Sequence, residues 1–268
     1  MRAIPRLPSI RRLLALAILM AMPWAMIPAA AGEEVDVALV VAVDISNSMD
    51  PEEQLLQREG FVEAFRSQEV HMAIRNGMLG RIAVTYFEWA GTHIQHVVVR
   101  WTIIDGPESA NAFADALARS PPRRGPRTSI SGAIDASVRL LEDSGIEALR
   151  RVIDVSGDGA NNQGRNISEA RDDALDKGIV INGLPIMLKR PSGYWDTEKL
   201  DVYYRACVIG GPGAFIIPIT ERSQFAEAVR TKIVREVAAV DYAIIPAQAD
   251  QELDCAAEER RNQQWWRN

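Results

Sequence analysis

The sequence is poor in the residues that build soft-metal and thiol chemistry: 268 residues contain two Cys and three His. Two cysteines cannot make a disulfide-rich scaffold. A zinc site needs more nitrogen or sulfur ligands than His71, His93 and His96 offer. His93 and His96 stand three apart on an apparent hairpin, a spacing that does not share one strand face. Basic charge is also short, with 30 Lys+Arg against 36 Asp+Glu and a formal net charge of −6. That balance argues against a nucleic-acid partner, which needs a basic surface against its phosphates. Catalytic signatures are missing too. Asp154 stands where a Gly-x-Ser-x-Gly elbow around Ser156 needs its first glycine. No Gly-x-x-x-x-Gly-Lys-Ser/Thr phosphate loop occurs. The chain is therefore expected not to be an enzyme. With 47% hydrophobic and 25% charged residues, it is not a disordered, collagen-like or multi-span membrane chain.

Residues 1–31 differ from the rest. Arg2, Arg6, Arg11 and Arg12 form a basic start, Leu13 to Ile27 is apolar, and Ala29-Ala30-Ala31 supplies small residues. The pattern is that of a secretory signal peptide cleaved near Ala31. The apolar run is shorter than the ~20 residues of a spanning helix, and no stable membrane anchor is expected after cleavage. An exported, periplasmic or secreted protein follows. Loss of the four arginines would leave 26 Lys+Arg against 36 Asp+Glu, near −10. In that compartment Cys207 and Cys255 are either a disulfide or two separate thiols, because spacing does not fix pairing.

Apolar patterning along 34–240 alternates between strand and helix. Val35 to Val43 is almost continuously apolar, as in a parallel strand buried on both faces. Asp50 as N-cap, Pro51 at the first helical position and Glu53 in a capping box start the first helix. Residues 81–87 and 94–103 read as a hairpin. Helical stripes follow at Glu108–Arg119 and Ile130–Leu141, a short strand at Val152–Ser156, and a helix at Ile167–Lys177. Then come a strand at Ile179–Leu188, a helix at Leu200–Cys207, a last strand at Phe215–Ile219 and a final helix from Phe225 to Val237. The predicted fold is α/β: a doubly wound, mostly parallel sheet with one antiparallel edge strand and helices on both faces. Residues 241–268 lack periodicity, end in Trp265-Trp266, and are expected to be a mobile tail.

Ligands of such sheets bind at the carboxyl ends of the strands. Three loops there carry small oxygen donors: Asp44-Ile45-Ser46-Asn47-Ser48, Arg127-Thr128-Ser129, and Ser156-Gly157-Asp158-Gly159. Oxygen-only donors suit a hard cation, Mg²⁺ first and Mn²⁺ or Ca²⁺ next. As local structure alone, the same residues would be caps and turns.

The order Asp44-x-Ser46-x-Ser48, then Thr128, then Asp158 in a strand-Asp-Gly turn resembles the metal-ion-dependent adhesion site of von Willebrand factor A domains. Three longer stretches, Arg81–Trp89, Val155–Gly164 and Cys207–Phe215, resemble an uncharacterised family of exported bacterial proteins with this domain. The resemblance spans residues 34–240. It implies that Ser46 and Ser48 bind the metal directly, Thr128 directly or through water, and Asp44 and Asp158 mainly through water. It also implies a protein partner that offers an Asp or Glu to the under-neutralised cation. Asp44-Ile45-Ser46 is similar to the Asp-x-Asp start of haloacid-dehalogenase phosphatases, with Ser46 replacing their general acid/base. A metal-dependent phosphate-ester hydrolase is the alternative reading.

Residues beside these loops have plainer readings. Glu88 reads as a solvated hairpin residue more readily than as one that approaches the metal loop, and Asn161, Asn162 and Gln163 as a polar loop more readily than as a lining of the site. Arg123, Arg124 and Arg127 either steer an acidic partner or are solvated. Asn166-Ile167-Ser168 matches a glycosylation triplet but sits where an N-cap is expected.

Overall fold

The computed structural model describes residues 33–188, 199–238 and 253–265. Its centre is β1, Glu34–Asp44, in which every residue after Glu34 is buried. The reason lies in the alternation of side chains. Val37, Leu39, Val41 and Val43 face one apolar core, and Ala38, Val40 and Ala42 face a second on the other side of the sheet. Each fully buried Val or Leu contributes roughly 1.5–3 kcal/mol. A single polar substitution here would lose that term and strand a polar group.

Around β1 stand β2 (Ile82–Trp89), β3 (Gln95–Ile104), β4 (Glu147–Gly157) and β5 (Ile179–Pro185), in the order β3-β2-β1-β4-β5. All neighbours are parallel except β2 and β3, the hairpin at one edge. This is the mixed sheet expected, with one antiparallel edge strand.

One face is covered by α1 (Pro51–Arg66), α2 (Gln68–Arg75), α3 (Pro107–Ala118) and α7 (Phe225–Val237). The other carries α4 (Ile130–Glu142), α5 (Ile167–Asp176) and the short α6 (Leu200–Tyr203). The start of α1 follows its sequence signal: Glu53 N donates to Asp50 Oδ1, and Asp50 N donates to Glu53 Oε2, both at 2.8 Å. At α5, Asn166 is an N-cap, its Oδ1 accepting from Ser168 N at 2.8 Å. No described helix is long and apolar enough to cross a membrane.

Four expectations are corrected. β4 begins at Glu147, five residues early, because its first half runs along an exposed stretch with no apolar pattern. The last strand expected at Phe215–Ile219 is reduced to two isolated parallel bridges, Gly183↔Ile216 and Ile186↔Ile219. Pro218 has no N–H to donate to a regular ladder. The helix from Leu200 turns from α6 into one π turn over Tyr204–Val208, closed by Ile209 N on Tyr204 O at 3.0 Å.

The fourth concerns the tail. Within residues 241–268, Cys255–Trp265 form a helix, α8, and Cys255 is disulfide-bonded to Cys207 of the π turn. Glu259 of α8 is buried and accepts from Ile167 N at 2.9 Å, satisfying a free N–H at the start of α5. The described part of the tail is thus tethered at Cys255 and Glu259. The proposed leader, 1–31, lies outside the described residues.

Candidate metal centre

At the end of β1 the chain turns on itself because Asp44 Oδ1 accepts from Ser46 N at 2.6 Å. The turn brings the next two serine hydroxyls together. Ser46 Oγ and Ser48 Oγ share a hydrogen bond of 2.6 Å, and Ser48 Oγ donates to Asp158 Oδ1, also at 2.6 Å. Asp158 arrives from the end of β4, which pairs with β1 from Glu34 to Val43. Parallel register therefore delivers residues 110 apart in sequence to one point.

Thr128 enters from the loop before α4 and is buried. A β-carbon built on Gly159 would stand 4.0 Å from its Oγ1, which sets Thr128 beside the Asp158 turn. Asn162 fastens the two: its Oδ1 accepts from Thr128 N, and its own N donates to Thr128 O, both at 2.9 Å. All five residues of the expected site, Asp44, Ser46, Ser48, Thr128 and Asp158, are thus gathered around three neighbouring loops.

Two carboxylates, Asp44 and Asp158, dominate the electrostatics of the cluster. Burial pushes the Asp44 carboxyl well above the usual carboxylate range, and the charge of Asp158 pushes it further; hydrogen bonds from Ser46 and from the Asp158 backbone N–H pull the other way. Asp44 Oδ2 is buried and has no hydrogen-bond partner among the described residues. A buried, unpaired carboxylate oxygen beside a second carboxylate is costly unless something positive joins it. No described group of three or more His, Cys, Asp or Glu is placed to hold a metal. The donors here are hydroxyls and two carboxylates, an all-oxygen set that fits a hard divalent cation.

Several neighbours differ from their plain readings. Glu88 is buried rather than solvated: Arg58 donates to it, and Arg123 stands 3.6 Å away. Burial raises its pKa, and Arg58 opposes the rise. Sequence gave no hint of this pair, because Arg58 comes from α1 and Glu88 from β2. Arg124 clamps the first loop, donating to Met49 O at 2.7 Å and Asn47 O at 3.1 Å. Arg127 holds a left-handed backbone at φ 70°. Asn161 and Gln163 are loop fasteners: Asn161 Oδ1 accepts from Ser131 N at 3.2 Å, and Gln163 Oε1 from Thr92 N at 3.1 Å.

The site also has a floor that no motif announced. Tyr203 and Tyr204 lie under the third loop, both buried. Tyr203 Oη accepts from Asn161 N at 3.2 Å. Tyr204 Oη, held protonated by burial and then by the charge of Asp44, has no hydrogen-bond partner among the described residues.

Comparison with solved structures identifies this frame. The pilus adhesin SpaC from Lactobacillus rhamnosus GG matches with TM-score 0.57 at 14% identity, over 76% of this chain and 30% of that one. A von Willebrand factor type A protein from Catenulispora acidiphila matches with TM-score 0.53 at 15% identity, over 76% and 43%. Proximal thread matrix protein 1 of the mussel byssus, with a zinc-occupied MIDAS motif, matches with TM-score 0.53 at 12% identity, over 76% and 49%. The chain thus spans between about a third and a half of these relatives. At such identities the likeness is one of fold, the von Willebrand factor A fold. No curated protein matches the sequence. The model of the family described as "Protein of unknown function (DUF1194)" matches residues 34–241, and the chain belongs to that family.

Proposed function

We propose that the protein is an exported, divalent-cation-dependent binding module that captures a carboxylate of a partner protein. The observation that carries this reading is the hydrogen-bonded chain Ser46–Ser48–Asp158 beside the orphaned oxygen of Asp44. Ser46 and Ser48 would hold the ion through their hydroxyls, Thr128 would complete the set, and Asp44 and Asp158 would orient these donors. Neutral hydroxyl donors leave a bound Mg²⁺, Mn²⁺ or Ca²⁺ with net positive charge, which draws an anionic Asp or Glu of a partner. The mussel protein with its zinc-occupied motif supports divalent binding on this fold. The leader pattern of residues 1–31 supports export.

The chain's own residues give the site its rigidity. Asn162 locks the Thr128 loop to the Asp158 loop, and Arg124 locks the loop of Ser46 and Ser48. Preorganised donors lose less entropy when an ion arrives.

Calorimetric titration with Mg²⁺ and Mn²⁺ tests the metal step. Binding that disappears in Ser46→Ala is expected. No heat or stability change with millimolar Mg²⁺, Mn²⁺ or Ca²⁺ would sink the reading. A captured partner should elute with chelator and lose binding when one of its Asp or Glu residues becomes an amide.

A further inference from the structure

Two buried oxygens without partners face the same gap. A β-carbon on Gly157 would stand 2.9 Å from Asp44 Oδ2 and 3.1 Å from Tyr204 Oη, so the two oxygens are at most about 6 Å apart. A small shift or one water molecule would close that span. Both atoms are buried without a hydrogen-bond partner among the described residues.

The ring of Tyr204 has been given room to get there. A β-carbon on Gly183 of β5 would stand 2.6 Å from Tyr204 Cδ1, so no larger residue fits beneath the ring. Gly157 on β4 leaves the passage from the hydroxyl to Asp44 open. The tyrosine sits at the start of the π turn, a departure from α-helical geometry often found at functional sites. Packing explains the ring and not the hydroxyl. Phenylalanine would fill the same slot without burying an unpaired polar atom.

We propose that Tyr204 is a positioning residue for the metal centre: once the cation is bound, its hydroxyl, unpaired among the described residues of the metal-free protein, donates to Asp44 Oδ2, directly or through one water, from the buried side. Asp44 Oδ1 is held by Ser46 N on the loop side. A second hold on Oδ2 fixes the plane of the carboxylate, and with it the placement of the Ser46 loop. This rests on the proposed metal site. Partners that orient metal-site carboxylates from outside the ligand set typically change affinity by about 10–100-fold when removed.

The test compares Mn²⁺ affinity by calorimetry and metal-free thermal midpoint in wild type and Tyr204→Phe. The expected result is an affinity about 10–100-fold weaker, with a metal-free midpoint equal to or above wild type. The midpoint should not fall, because an unpaired buried hydroxyl has been removed. Unchanged affinity overturns the proposal. So does a lower affinity accompanied by a lower metal-free midpoint, which would mark Tyr204 as structural. Wild type that binds no metal removes both the site reading and this inference; wild type that binds equally well with Tyr204→Phe removes this inference alone. Gly157→Ala supplies a second check by placing a methyl between the two oxygens. It should weaken binding with Tyr204 intact, and Tyr204→Phe should then add little; fully additive losses would overturn a shared path.

Discussion

Two acidic clusters lie four residues apart along β4 and solve the same electrostatic problem differently. At Asp154 the protein supplies its own cation. Lys232 of α7 reaches Asp154 Oδ1 at 2.9 Å and Glu236 Oε1 at 2.6 Å, all three side chains fully buried. Asn182 Nδ2 adds a hydrogen bond to Glu236 at 3.2 Å. Burial works against the lysine's charge, but Asp154 and Glu236 hold it protonated. At Asp158 the Ser48 hydroxyl donates instead, and at Asp44 the Ser46 N–H does. Asp44 has no ion pair among the described residues, and one of its oxygens is orphaned. The Asp154 cluster carries its own cation, although Asp154 Oδ2 and Glu236 Oε2 have no hydrogen-bond partner among the described residues. Asp44 has no lysine partner among the described residues, and the Asp44–Asp158 cluster is the one at the loops of the sheet's carboxyl end, where the proposed cation would bind.

The sharpest break of this comparison is Lys232→Met. It leaves two buried carboxylates uncompensated and should cost about 3–5 kcal/mol by denaturant melts. The cost should depend on pH. Burial, and then the charge of Glu236, raise Asp154 to about 7 against Lys232. A folded-state value above the unfolded one means its stabilisation is complete below about pH 4 and is lost as pH rises through about 7. Lys232→Met should therefore be more damaging at pH 8 than at pH 5. An equal cost at both would show that Asp154 is not protonated in the variant.

Reduction of Cys207–Cys255 comes next, and it acts on the metal side. Opening a loop of sequence separation 48 should cost about 4 kcal/mol by chain-entropy reasoning. It frees α8, and with it Glu259, from the start of α5 beside Asn161. Metal affinity should fall, while the pH dependence of the Lys232 cluster should persist. If both clusters respond alike, they are not independent.

Metal addition is third. An ion at about 100 times its Kd should add about 2.7 kcal/mol, read as a raised thermal midpoint. Asp158→Asn should abolish that gain and also stabilise the metal-free protein, because it removes the charge that opposes Asp44. Stabilisation by metal in Asp158→Asn equal to that of wild type would place the ion elsewhere. The smallest effect is expected for Asn162→Ala, about 1–3 kcal/mol for the Thr128 N–H left unpaired. Its metal affinity should drop with no change in the Lys232→Met penalty.

Much of the frame was legible before any coordinates. The continuous run in β1, the capping box of α1 and the hairpin of β2 and β3 are local patterns, and each appears as expected. The five residues of the expected site were picked out by their resemblance to a known motif, and the structure brings them to neighbouring loops. The residues that support them were not. Glu88 looked solvated because its partner Arg58 lies 30 residues away on a helix. Asn161 to Gln163 looked like any polar loop until their contacts with Ser131, Thr128 and Thr92 were in view. Tyr204 carries no motif, and Lys232 reads as one more charged residue on an amphipathic helix.

The sequence by itself determined most of the strands and helices, though not α8 or the bridges at Ile216 and Ile219, and which loops bear the oxygen donors. Those depend on periodicity, caps and turns, which act over a few residues. Only the tertiary structure decided that Lys232 meets Asp154 and Glu236, that Cys207 meets Cys255, and that a tyrosine hydroxyl stops beside Asp44. Such facts depend on which side chains meet after parallel pairing and helix packing have brought distant segments together, and no local pattern encodes those meetings.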